Sequence, residues 1–259
     1  MKQETKKEIE IISGGIITTA VDLILFAASL GLNLYVASFK GKNPLKVLQD
    51  SFKLTEKLKQ RLLVSSSYYA KSKGLLVRQA HSLVLTQKGH DYIKQLLPQY
   101  QKNRRWPGRF YLITYDINEK KRYQRDLLRK WLWVQGARMI QESVWICAYD
   151  LTQAINDSKI VEKNSGLVLV SFLEKGMGVG RETIMDLVGR LYEKDLKKVN
   201  RRYGEFIKLA GRNNNFAKEQ KFLLKMQYLS ILKDDPQLPK SLVLSNWQGD
   251  KAYQLYEKL

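Results

Sequence analysis

The side chains best equipped for chemistry in this 259-residue chain are cations, amides and phenols near position 60. Lys57, Gln60, Arg61, Tyr68 and Lys71 fall broadly on one side of a stretch with helical spacing. Arg78 and His81 follow on a short β-prone ribbon and its turn. Lysine and arginine neutralise phosphates, and arginine and glutamine also present hydrogen bonds to base edges. The competing reading of the same residues is a solvated helix face. Other chemistry is thinly supplied. The single cysteine, Cys147, excludes an intrachain disulfide and a CxxC zinc site, and two histidines exclude a histidine-rich metal site. A reducing, cytoplasmic compartment is the simplest setting for such cysteine usage. Gly176, Gly178 and Gly180 follow a β-prone run and precede a helical one. No Gly-Lys-Ser/Thr closes that run and the second half of a dinucleotide fingerprint is absent, so a turn into a helix starting near Arg181 is the better reading than a phosphate loop.

Net charge agrees with the first reading. Forty-five Lys and Arg against 25 Asp and Glu give a formal charge of +20. Such a surface attracts polyanions and speeds encounter with them, whether DNA, RNA or an anionic membrane. Hydrophobic residues make up 44% and charged residues 27%, ordinary for a chain with a packed core.

Several elements must position the basic residues. A nearly unbroken apolar run extends from Ile16 to Phe39 and is long enough to span a bilayer. Asp22 falls inside it, at a cost of ~2.5–3.5 kcal/mol near a bilayer centre, and Gly31 and Asn33 mark a helix stop. The preferred reading is a buried first helix, about Ile16 to Leu30. Asn43-Pro44 is a cap followed by proline at the first helical position, and a short helix runs from there to about Asp50. A longer helix starts between Ser51 and Glu56, continues to Lys73 and stops at Gly74, with Leu58, Leu62 and Tyr69 on its apolar side and Ala70 near it. LLVRQ and LVLT then read as two strands around the turn AHS, and TQKGHDYIKQLL starts another helix. Two helices, a longer basic helix and a two-stranded ribbon make the winged-helix order, in which the long helix enters the major groove and the ribbon tip touches backbone or minor groove. Winged helices also serve as protein–protein modules, which is the second reading of this block.

Pro98 to Arg109 is polar, basic and carries two prolines, the signature of a linker. Beyond it the period changes. RFYLITYDI (Arg109 to Ile117) is a strand; an amphipathic helix follows with Asn118 as cap, Leu127, Leu128, Trp131 and Leu132 as apolar side and Gly136 as stop. RMIQ and SVWICAYD form a hairpin, LTQAINDSKIVEKNSG a second helix and LVLVSFLEK a fourth strand. The order βαββαβ is the ferredoxin-like arrangement, with both helices on one face of a four-stranded antiparallel sheet. The other face needs cover, and a second copy of the domain would supply it. The expected fold is therefore α+β: a winged helix-turn-helix over 1–97, a linker over 98–108, a ferredoxin-like dimerisation domain over 109–180 and a helical C-terminal region over 181–259. A further helix from Arg181 to about Leu209 carries Lys194, Lys197, Lys198, Arg201 and Arg202, readable as a solvated face or as extra phosphate contacts.

Three blocks carry a resemblance. WPGRFYLITYDINEKKRYQRDLLRKWLWVQGARMIQESVWICAYD looks like the central domain of the PaaX family of bacterial transcriptional repressors, itself similar to the small dimeric CRISPR protein Cas2. DDPQLPKSLVLSNWQGDKAYQLYEKL resembles that family's closing motif, an Asp-Pro-x-Leu-Pro turn leading to Trp-x-Gly and a final helix. The winged helix lies in the expected place. The resemblance implies a dimeric repressor of double-stranded DNA with a small acyl-CoA type effector, though no residue identifies one. It also raises an alternative from a different class. In Cas2-like nucleases an Asp ending the first strand, one from each subunit, can hold a divalent cation, and Asp116 occupies that position. A pair of such carboxylates suits Mg²⁺. Against this, one carboxylate per chain is a thin basis for metal catalysis, and Asp116 also suits a cap of the following turn. The regulator reading needs no cofactor, and Mg²⁺ enters only under the nuclease alternative.

Overall fold

A computed structural model of the chain describes residues 16–17, 19–29, 34–35, 56–79, 82–158, 166–179, 182–212 and 216–259. Their contacts divide into two compact units. The first comprises residues to Gln99 with Glu205–Leu232 and Lys251–Leu259; the second comprises Tyr100–Gly204 and Lys233–Asp250.

In the first unit, α1 (Ala20–Ser29) is the buried helix expected from its apolar run, and Leu23, Ile24, Leu25, Phe26 and Ala27 are all buried. It begins four residues later than the expected Ile16, and Ile16 and Ile17 are buried ahead of it. Thr19 explains the start. Its hydroxyl oxygen accepts the Asp22 backbone N–H at 3.1 Å, the bond of an N-cap, and its hydroxyl donates to Asp22 Oδ2 at 2.7 Å. Asp22, the residue that argued against a bilayer span, is therefore a first-turn carboxylate at the positive end of the helix. Its other oxygen accepts from the Tyr92 hydroxyl at 2.8 Å. Among the described residues no helix is long and apolar enough to cross a membrane. The short helix expected from Asn43 to Asp50 lies outside the described residues.

α2 (Glu56–Ser72) ends as expected at Gly74, which adopts φ +70°. The Gly74 N–H donates to the Lys71 carbonyl and the Leu75 N–H to the Ala70 carbonyl, a Schellman stop. β2 (Leu76–Gln79) and β3 (Ser82–Leu85) form the expected hairpin, with Leu76 opposite Leu85 and Gln79 opposite Ser82. A two-residue strand, β1 (Leu34–Tyr35), joins β3, so the sheet order is β1-β3-β2. α3 (Gln87–Leu96) starts at Thr86, whose side chain accepts from the Gly89 N–H. Gly89 is required by close approach: a Cβ there would lie 2.2 Å from the Leu75 carbonyl oxygen. α1 packs against α2, α3 and β3.

The second unit holds the expected βαββαβ order. β4 (Arg109–Ile117) is followed by a 3-10 turn (Glu119–Lys121) capped by Asn118, then α4 (Arg122–Val134), which closes before Gly136 at φ +84°. β5 (Arg138–Gln141), β6 (Val144–Cys147), α5 (Thr152–Asp157) and β7 (Gly166–Glu174) complete it. All pairings are antiparallel and the order is β5-β6-β4-β7. α4 and α5 share one core with one sheet face, through Leu128, Leu132, Leu151 and Ile155 against Ile113, Tyr115, Trp145 and Cys147. Leu127, expected on that apolar side, is 39% exposed; it sits one residue off the buried Leu128–Leu132 line.

The opposite face departs from expectation. Part of it is covered by the chain's own α6 (Ile184–Ala210), reached through a small hairpin of β8 (Gly178–Val179) and β9 (Glu182–Thr183). Ile184, Val188, Tyr192 and Leu196, four residues apart on one line of the helix, pack with Leu238 on Phe110, Ile146 and Ala148. Tyr192 donates its hydroxyl to the Gly136 carbonyl at 2.7 Å, and buried Arg138 donates to Asp195 at 2.7 Å. At the far end of the same face Leu167 and Leu169 remain exposed.

α7 (Lys218–Asp234) and α8 (Gly249–Lys258) follow. In the first unit Phe222 meets Phe26 at 5.4 Å between ring centroids, and Tyr228 stacks on Tyr256 at 4.3 Å.

Candidate nucleic-acid interface

Among the described residues of the first unit, the last part of α2 and the ribbon beside it in sequence expose cations together with flat rings. Tyr68 is 63% exposed and Lys71 is exposed, both as expected. Arg78 is exposed on β2, opposite Leu83 in the ladder. Lys57, Gln60 and Arg61 lie on α2, but their side chains fall outside the described residues, as does all of His81.

Tyr69, expected on the apolar side, is 52% exposed, with Lys73 Nζ 5.6 Å from its ring centroid. The buried line of α2 instead passes through Ser66 and Ala70, four residues apart. This places two adjacent phenols and Lys71 on the solvent side. Two residues missed by sequence reasoning anchor this corner. Lys88 Nζ donates to the Lys73 carbonyl at 3.0 Å, and Thr86 Oγ1 donates to the Gly74 carbonyl at 2.6 Å. Both satisfy carbonyls at the end of α2 that no longer have helical partners. The LTQKG pattern was visible in the sequence, but its partner carbonyls were not. Tyr92, itself 39% exposed, is pushed up to about 12 by partial desolvation and by its hydrogen bond to Asp22. It therefore remains a neutral donor at neutral pH.

Asp116 is on the exposed end of β4, opposite Leu167. The turn after it is capped by Asn118, whose side chain accepts from the Lys120 N–H at 2.9 Å, so the capping role expected for Asp116 belongs to Asn118. Among the described residues no group of three or more His, Cys, Asp or Glu side chains is placed to hold a metal.

The closing motif has a structural role within the second unit. Arg104, from the segment expected to be a linker, is buried and donates from Nη2 to Asp250 Oδ1 at 2.6 Å; the Tyr100 hydroxyl donates to the same oxygen. Burial alone would push the Asp250 carboxyl up, but Tyr100, Arg104 and Lys240 together hold it below the usual range. Asp235, deeper, is pushed up by burial while it accepts from Tyr203 and from the Gln237 N–H. Gln237, at φ +47°, accepts from the Gln101 N–H through its side chain and from Tyr149 through its carbonyl. A cavity of about 490 Å³ opens here, lined by Arg105, Gln135, Tyr149, Asp235 and Gln237 among others.

Comparison with known proteins bears on both ends of this arrangement. Residues 103–174 match the PaaX protein central Cas2-like domain. Residues 194–259 match the PaaX-like protein C-terminal domain. No curated protein matches the chain. Among solved structures, an uncharacterized protein from Mycobacterium tuberculosis, Rv0674, aligns over 92% of this chain and 93% of its own at a TM-score of 0.57. At 16% identity that likeness concerns the fold alone. The two matched domains follow one another in the expected order and together span more than half of the residues, and the chain belongs to the PaaX-like family.

Proposed function

We propose that this chain is a sequence-specific, DNA-binding transcriptional regulator, a PaaX-like repressor that acts as a homodimer. In this reading the elements from α1 to α3 are a winged helix, α2 enters the major groove and the β2–β3 ribbon touches the flanking backbone. The observation that carries it is the exposed corner of Tyr68, Tyr69 and Lys71 at the end of α2, followed by Arg78 on the ribbon. The net charge of +20 and membership of the family support it. We place the effector, a small molecule, in the cavity beside Arg105 and Gln237. The protein works in the cytoplasm, where its one cysteine stays reduced.

We assign no catalysis to Asp116 and no cofactor to the protein. Asp116 faces a leucine across the ladder, which offers a cation no second ligand from that neighbour. Incubation with DNA and RNA in Mg²⁺ or Mn²⁺ should give no cleavage that Asp116→Ala abolishes; such cleavage would reverse the choice in favour of a nuclease.

The direct test of the main reading is footprinting on DNA upstream of the protein's own gene, followed by titration of the protected duplex. Nanomolar-range binding that falls steeply with salt is expected. Gln60→Ala with Arg61→Ala should erase the preference for that duplex, and Lys57→Ala or Lys71→Ala should weaken all duplexes alike. Equal binding to every duplex, before and after these changes, would remove the regulator reading.

A further inference from the structure

The two strands that end the four-stranded sheet are built differently. β5 has four residues, a shift of register between Met139 and Gln141, and a buried arginine at its start. β7 has nine residues in unbroken register with β4, from Gly166 opposite Ile117 to Glu174 opposite Arg109. From Leu167 to Leu173 it contains no charge, no proline and no glycine. Among the described residues no strand pairs with its outer side. An edge strand presents a row of N–H and C=O groups ready to accept another strand, and proteins guard such edges with short length, bulges, proline or lysine. β5 has two of these guards and β7 has none. β7 also exposes apolar side chains on both faces of the sheet: Leu167 and Leu169 are 58% and 54% exposed on one, and Phe172 is 54% exposed on the other.

We propose that β7 is the two-fold contact of the homodimer: it pairs antiparallel with β7 of a second copy about Val170, joining two four-stranded sheets into one of eight. This rests on the homodimer of the reading above and is independent of DNA. Three observations select a second copy as the occupant. Val170 is the middle residue of the strand, so a two-fold axis there uses all of it. That axis sets Leu167 opposite the partner's Leu173, Val168 opposite the partner's Phe172 and Leu169 opposite the partner's Ser171, which keeps like faces together. Finally, two copies each carrying +20 repel over most of their surface, and β7 contains neither lysine nor arginine. A contact of this kind uses the same patch on both subunits and closes on itself.

The test uses the full chain. Sedimentation equilibrium at micromolar concentration should give the mass of two copies. Leu169→Lys and Phe172→Lys should each weaken the dimer at least a hundredfold while circular dichroism and the melting transition stay those of a folded chain. Val170→Cys supplies a second measurement. Its side chain lies on the side of the sheet that carries α4 and α5, packed against that core. A dimer built on the other sheet face would therefore hold two such cysteines apart, whereas pairing about Val170 brings them together and mild oxidation links them. The parent should not cross-link, since burial pushes the Cys147 thiol up to about 11. A dimer that survives Leu169→Lys and leaves the cysteine at 170 unlinked would overturn the contact while keeping the homodimer. A monomeric parent would overturn both. A dimer that cross-links at 170 yet binds no duplex would uphold the contact and overturn the DNA reading.

Discussion

α2 and α6 are both basic helices, and they differ in the acids that their sequences set among the cations. α2 has Glu56 as its sole acid, at its first residue, while Lys71 and two exposed tyrosines stand at its other end. α6 has Asp186, Glu193, Asp195 and Glu205 interleaved with its lysines and arginines. There Lys197 pairs with Glu193, Arg190 with Glu182 at 2.7 Å, and Asp195 is occupied by Arg138 from β5. A run of positive charge is thus an incomplete description of a helix. What it offers to a phosphate depends on whether nearby acids have already engaged it, as Glu193 and Glu182 have engaged Lys197 and Arg190.

The comparison breaks most directly on DNA. Lys71→Glu should weaken binding on the order of tenfold or more and flatten the dependence of log Kd on log salt by about 0.9 per lost phosphate contact. Fluorescence anisotropy at several salt concentrations reads both. Next in size is Asp195→Ala, which strands the buried Arg138 guanidinium. A loss of about 2 kcal/mol in urea unfolding is expected, below the usual range for a broken buried pair because Asp195 is partly exposed. DNA affinity of the folded protein should change less than twofold. Arg190→Ala and Lys197→Ala should do little to either quantity, within about 0.5 kcal/mol of stability and threefold in affinity. If they cost as much DNA affinity as Lys71→Ala, the contrast between the helices is wrong. The smallest effect is on a proton. Lys197 holds the Glu193 carboxyl below its ordinary range. A depressed carboxylate favours the folded state above the ordinary value, ~4.3, and that favour is lost as pH falls through the lowered one. In Lys197→Ala the Glu193 titration followed by NMR should return to the ordinary value.

Local chemistry was legible in the sequence where one residue sets the backbone. Gly74, Gly136 and Asn118 each ended or began an element where their own conformational or hydrogen-bonding character required it. The strand–helix order of the second unit was legible as well, since a change of hydrophobic period reports which faces are buried. Features that depend on distant partners were not. Arg104 reads as part of a polar linker because its partners, Asp250 at 146 residues away and the Leu238 carbonyl, are distant in sequence. Tyr69 was misplaced because a phenol on a helix edge suits either side, and Ser66 with Ala70 took the packed line. The sequence does not show what covers the second sheet face, because the line Ile184, Val188, Tyr192, Leu196 carries no address for the strands it packs on. At the end of α2 the exposed cations were legible by type, while the carbonyl contacts of Thr86 and Lys88 were not.

The bond from Thr86 to the Gly74 carbonyl joins residues 12 apart in sequence and so encloses the whole β2–β3 ribbon. Closing such a loop costs chain entropy that grows only slowly with its length. Here that cost falls on folding. The ribbon is tied at its root in the folded chain, and under the proposed DNA-binding reading that tie is in place before a duplex arrives. In binding terms the protein is preorganised at this corner, so less ordering remains to be subtracted from the free energy of its contacts.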